Sequence, residues 1–145
     1  MAGRVMSIYV LDTDTVSRQQ AHRPTILRHL ERIPPTQIFT TVITLREQIR
    51  GRLAVIDRAE EDIALIQAYT QLQATVDYFK QVPILPFTAA ALAQLQQVRQ
   101  QKVRVGTQDL RIAAIVLSVG GILVTSNRRD FAQVPGLLIE DWDVA

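Results

Sequence analysis

The sequence predicts an α/β protein: a five-stranded, mostly parallel sheet with helices on both faces. Three observations predict it. Short apolar, β-prone runs alternate with stretches of helical period along the whole chain, the pattern of crossover connections between parallel strands. The first strand candidate, Ser7–Leu11, is mostly apolar rather than alternating, as a strand buried on both faces must be. Finally, 48 % of the 145 residues are hydrophobic but only 6 % are aromatic, so the core is aliphatic.

The elements follow in order. Ser7–Leu11 (SIYVL) is the first strand, and it ends at Asp12. A turn and helix occupy Asp12–Gln20. Pro24–Arg32 places Ile26, Leu27 and Leu30 at helical spacing, with Ile33 continuing the row, and Pro34-Pro35 stops it. Gln37–Thr40 is the second strand. The helix after it, Val42–Arg50, is expected to end near Gly51. A long amphipathic helix from Arg58 to about Phe79 puts Ile63, Ile66, Leu72 and Val76 on its apolar side. Val82–Pro86 is a third strand carrying prolines. Ala89–Lys102 and the strongly apolar Thr107–Val119 are helices, the second ended by Gly120-Gly121. Ile122–Thr125 and Leu137–Ile139 complete the strands, and Trp142 is expected to pack at the core edge. One domain is expected over residues 6–145. Residues 1–5 read as an N-terminal extension, because Met6-Ser7-Ile8-Tyr9 would itself be a natural chain start.

Composition excludes several classes of function. No run approaches the roughly 18 apolar residues of a membrane span, and the opening residues lack the apolar run of a secretory signal; a cytoplasmic protein is expected. With no cysteine, disulfides and thiolate metal sites are out. Net charge is only +2, yet every one of the sixteen basic residues except Lys80 and Lys102 is arginine. Guanidinium forks suit phosphate and carboxylate partners, although an Arg-rich host genome explains the bias equally well.

The chemistry lies in where the acids fall. In open α/β sheets ligands bind beyond the carboxyl ends of the strands. Asp12 directly follows the first strand, and Glu47 lies in the helix after the second. Asp109 opens the helix before the fourth strand, and Asn127 follows that strand by two residues. Carboxylates converging there would repel one another, and a hard divalent cation such as Mg²⁺ or Mn²⁺ relieves that repulsion. Each residue also has an ordinary role open to it. Asp12, Asp14 and Asp109 can cap helices, Glu47 can pair with Arg50, and Asn127 can serve a turn. The two histidines, His22 and His29, read as surface residues. The joint placement of the acids is the signal.

These segments resemble the motifs of a known family. Leu11-Asp12-Thr13-Asp14-Thr15 is similar to the opening motif of PIN domains, and Thr41–Glu47 followed by Gly51 to their second, a helix bearing one Glu. Asp109-Leu110-Arg111-Ile112-Ala113-Ala114 resembles the third, and Leu123–Phe131 the fourth. The ending, Val134-Pro135-Gly136-Leu137 with Glu140-Asp141-Trp142, resembles the VapC-type toxins of bacterial toxin–antitoxin pairs. The resemblance runs from Met6 onward. It implies a PIN-like three-layer fold, cleavage of single-stranded or loop RNA with Mg²⁺ or Mn²⁺, a homodimer, and neutralisation by a small antitoxin. It maps the metal ligands onto Asp12, Glu47 and Asp109, with Asn127 at a fourth position that is often Asp. Asp14 stands where many relatives have Asn; it either restores some negative charge or holds the first turn.

The chemistry agrees with that resemblance. Phosphodiester hydrolysis needs an activated water and stabilised charge on the phosphoryl oxygens, and divalent metal supplies both. No histidine lies near these motifs to act as a general base. Arg46, Arg50, Arg128 and Arg129 lie near the acids in sequence and are candidates for RNA phosphates. Two other readings remain open. One is a catalytically silent PIN-like module that only binds RNA or a partner, which Asn127 keeps alive. The other is a haloacid-dehalogenase-type phosphatase, because Asp12-Thr13-Asp14-Thr15 also fits its first motif. That mechanism wants a lysine near the aspartates and gives Glu47 and Asp109 no role.

Overall fold

The computed structural model describes residues 6–144. The expected extension at residues 1–5 lies outside the described residues. Five strands form one sheet: β1 (Tyr9–Leu11), β2 (Ile38–Thr41), β3 (Ile84–Leu85), β4 (Ile122–Val124) and β5 (Leu138–Glu140), in the order β3-β2-β1-β4-β5. Every neighbouring pair is parallel, so all five carboxyl ends lie along one edge. The helices are α1 (Thr13–Gln20), α2 (Pro24–Glu31), α3 (Val42–Arg58), α4 (Asp62–Gln81), α5 (Ala89–Gln100), α6 (Thr107–Val119) and the short α7 (Arg128–Phe131).

Apolar side chains from the two faces of the sheet build two cores. Val10 and Leu123 pack with Ile112, Ile115 and Val116 of α6 and with Phe131. On the other face Leu11 and Val124 pack with Val16, Ile26, Ile38 and Trp142. Consecutive strand residues thus serve opposite faces, as the period of a strand requires, and this is why β1 and β4 read as unbroken apolar runs. Gly120 adopts φ 64°, the left-handed ending that stops α6.

Three expectations need correction. Helix α3 does not stop near Gly51 but continues to Arg58. A glycine inside a helix costs about 1 kcal/mol, and packing of α3 against α4 outweighs that. The real break is Ala59, whose ψ of 119° is extended. Second, α4 begins at Asp62 rather than Arg58, and its apolar side is largely exposed: Ile63 is 70 % and Ile66 67 % accessible, while the buried residues are Ala68 and Thr75. Third, Trp142 is not at the edge of the core but inside it, 1 % exposed, and His29 stacks on its ring with centroids 5.6 Å apart, so His29 is only partly at the surface. Among the described residues no helix is long and apolar enough to cross a membrane.

Candidate active site

Asp12 sits where β1 hands over to α1. Its Oδ1 accepts the Thr15 N–H at 2.8 Å, and its own N–H continues the sheet by donating to the Val124 carbonyl. Capping a helix and standing at the mouth are therefore the same position. Asp12 is 4 % exposed. Burial raises its pKa, while hydrogen bonds from Thr125 and Thr15 pull the other way.

Glu47 reaches the same place from α3. The alternative role open to it, pairing with Arg50, is not among the ion pairs of the described residues. Instead its Oε1 accepts from the Thr13 hydroxyl at 3.1 Å, and that hydroxyl also lies 3.1 Å from Thr44 Oγ1. A threonine pair thus ties the start of α1 to α3 and holds the glutamate against the first turn of α1. One turn further along, Gln48 Nε2 donates to Ser17 Oγ at 3.0 Å.

Asp109 lies in the first turn of α6, where its charge favours the helix dipole. Its pKa is nevertheless pushed up to about 6. Burial is the largest cause, followed by the negative charges of Asp12, Glu47, Asp14 and Asp130. This is the clearest electrostatic sign that acids from four chain segments face one space. Asp130 had not been singled out from the sequence. It lies one turn past Asn127, and the Asn127 side-chain amide donates to it at 3.0 Å. The signal available was its place in the fourth motif, three residues after the neutral asparagine. Asp14 is exposed, and its charge reaches both Asp12 and Asp109.

Asn127 itself is partly buried; its N–H donates to Thr125 Oγ1 at 3.0 Å. Ser126 is braced from behind. Its hydroxyl accepts from Arg18 at 2.8 Å and donates to Asp141 at 3.1 Å, while Asp143 pairs with Arg23 at 2.6 Å. The four candidate arginines are all exposed. Arg46 and Arg50 share a groove of about 630 Å³ on α3 with Val42, Leu45, Ile49 and Leu53, which Glu47 does not line. Arg128 and Arg129 stand on α7 beside Asn127.

Among the described residues, no three acidic or histidine side chains already form a group able to hold a metal ion; Asp12 and Glu47 are engaged by Thr15 and Thr13. The donor set nonetheless has the right chemistry for a hard divalent cation: carboxylate oxygens, no sulfur or imidazole, and an Asp109 raised by burial and then by the neighbouring negative charges.

An α/β sheet with acids gathered at its carboxyl edge defines a class, and comparison identifies it. The sequence model of the PIN domain matches residues 9–137, so the chain belongs to the PIN domain family. Similar relatives include the tRNA(fMet)-specific endonuclease VapC of Salmonella typhimurium, 29 % identical over 92 % of this chain and 97 % of the relative. Ribonuclease VapC2 of Haemophilus influenzae is 30 % identical over the same shares. Among solved structures, DNA-bound VapBC from Salmonella typhimurium superposes with a TM-score of 0.77 at 25 % identity, covering 94 % of this chain and 99 % of that one.

Proposed function

We propose that this chain is a divalent-metal-dependent endoribonuclease of the VapC toxin kind, cutting single-stranded or loop RNA and neutralised by a cognate antitoxin. The observation that carries the proposal is the placement of Asp12, Glu47 and Asp109 by α1, α3 and α6 at the carboxyl edge of a parallel sheet, where burial, and then the charges of Asp12 and Glu47, raise the pKa of Asp109. Similarity over nearly the whole length to VapC ribonucleases supports the substrate class, and the VapBC complex supports the antitoxin.

Asp12, Glu47 and Asp109 would hold Mg²⁺ or Mn²⁺, with Asn127 at the fourth position. Bound there, the cation supplies an acidified water and charge stabilisation on the phosphoryl oxygens. The protein's own part is to keep the donors in place. The Thr15 N–H fixes Asp12, and the Thr13 hydroxyl fixes Glu47. Asp130 offers a further negative charge beside the neutral Asn127. Arg128 and Arg129 on α7, and Arg46 and Arg50 on α3, are the candidate groups for flanking phosphates. Incubation with total RNA should give cleavage with Mg²⁺ or Mn²⁺, and chelator should abolish it. Equal cleavage in chelator would overturn the metal mechanism.

Asn127 favours a second reading, a module that binds RNA without cutting it; RNA retention with no cleavage under any metal would select it. The phosphatase reading is disfavoured because Lys80, paired with Asp77, and Lys102 are both exposed and both precede Thr125 in the chain, and because it gives Glu47 and Asp109 no role. The exposed apolar row of Ile63, Ile66 and Tyr69 on α4 is more than a lone domain needs to show, and it supports a homodimer or an antitoxin seat. A dimer is expected in sedimentation at micromolar concentration; a monomer there would sink the homodimer.

A further inference from the structure

We infer that the small cavity between α3, α5 and α6 is a nucleotide subsite of the RNA substrate, with Phe87 receiving a base and Arg99 and Arg111 receiving phosphate. The inference rests on the ribonuclease reading and adds to it a place for the RNA on the β3 side of the acidic mouth.

The cavity measures about 310 Å³ and is lined by Ile43, Phe87, Leu92, Leu95, Arg99 and Arg111, a size at the lower end of small-ligand sites. Chain connectivity sets it beside the mouth. Phe87 is the second residue beyond the carboxyl end of β3, on the edge where Asp12 ends β1. Ile43 lies one helical turn before Glu47 on the same side of α3, and Arg111 stands in the N-terminal part of α6, the helix that Asp109 opens. The two residues from the end of β3 to Phe87 span at most about 7 Å.

The lining has a charge that nothing in it balances. Two guanidinium groups share the cavity with no acidic residue in its wall. Among the described residues neither arginine forms an ion pair; Arg111 makes only a long 3.5 Å contact to Gln108. Two guanidinium groups lining one open, otherwise apolar hollow leave positive charge for an anion to meet, and arginine forks match phosphate oxygens. Phe87 supplies the other half. Among the described residues it is the one phenylalanine that is exposed, at 37 %, while Phe131 is buried in the core. An aromatic ring beside free guanidinium groups is the usual platform for an unstacked base of single-stranded RNA. The apolar floor of Ile43, Leu92 and Leu95 offers no hydrogen bonds to base edges, so the subsite accepts any base by stacking.

The test is binding of a short, labelled single-stranded RNA oligonucleotide, in Mg²⁺, to full-length protein carrying Asp12→Asn so that it is not cut. Adding Phe87→Ala should weaken binding about tenfold, and Phe87→Trp should restore it. Arg111→Ala should weaken binding and lower the slope of log affinity against log salt by about one, with Arg111→Lys recovering most of that slope. Circular dichroism confirms that each variant is folded. If wild-type protein cuts RNA and the Asp12→Asn protein binds it, but Phe87→Ala and Arg111→Ala bind within twofold of that protein, the subsite is wrong and the ribonuclease reading stands. A change in sedimentation for Phe87→Ala would make the cavity a contact between copies and overturn the subsite. Wild-type protein that neither binds nor cuts RNA would overturn both readings together.

Discussion

Asp109→Asn is expected to cut RNA cleavage by on the order of a hundredfold or more, and at the same time to make the metal-free fold more stable. The loss follows from removing a charged oxygen donor from the cation's proposed ligands. The gain follows from electrostatics. Folding raises the Asp109 pKa from 3.8 to about 6, through burial first and then the charges of Asp12 and Glu47. Between those two values the folded state holds the proton more tightly than the unfolded chain. Stability therefore falls as pH rises through that window, and above about pH 6 the full penalty is present. Asp109 is only partly buried, so after solvent screening the penalty is about 1 kcal/mol. Thermal unfolding in chelator from pH 4 to pH 7.5 reads it: the wild-type protein should lose stability over that range, and the Asp109→Asn protein should lose less. Asp12→Asn should be equally inactive through loss of its carboxylate, and should stay folded because asparagine still caps α1. Full cleavage by both variants would sink the assignment of these carboxylates.

Trp142→Ala should cost about 3–5 kcal/mol, the largest stability loss expected from one truncation in this protein. The ring is 1 % exposed. It stacks on His29, lies 5.4 Å from Tyr9, and donates through Nε1 to Glu140 at 2.9 Å. It therefore closes the core formed by Leu11, Val16, Ile26 and Val124. Trp142→Phe keeps most of the apolar volume and should lose far less. Urea unfolding measures both, and a loss below about 1 kcal/mol for the alanine variant would show that the core collapses around the missing ring.

Much of the site is legible one residue at a time. Asp12 is visible because a carboxylate at the end of an apolar run has no place in a strand interior. Asp109 is visible because it opens the most apolar helix of the chain. Glu47 is legible as an acid after the second strand, but not its partner: from sequence Arg50 is the natural choice, whereas the structure ties it to Thr13, thirty-four positions away. Asp130 was hidden because its meaning depends on the neutral Asn127 that it accepts from. Arg46 and Arg50 are near Glu47 in sequence, yet they line a groove that Glu47 does not.

By itself the sequence determined the parallel α/β order, the five strands to within two residues, and the acids at their carboxyl ends. Those features are local: runs of apolar side chains, helical period, and a polar residue at each boundary. Only the tertiary structure decided the rest. It carried α3 past Gly51, because α4 packs against it and offsets a local propensity. It left Ile63 and Ile66 exposed, because an amphipathic pattern says which side is apolar and not what covers it. It drew Trp142 into the core and tied Asp141 and Asp143 to Ser126, Arg18 and Arg23, because contacts between the chain's two ends depend on where the sheet brings them. The acids' mutual repulsion at Asp109 belongs to the same class, since charge interaction falls with distance through space and not along the chain.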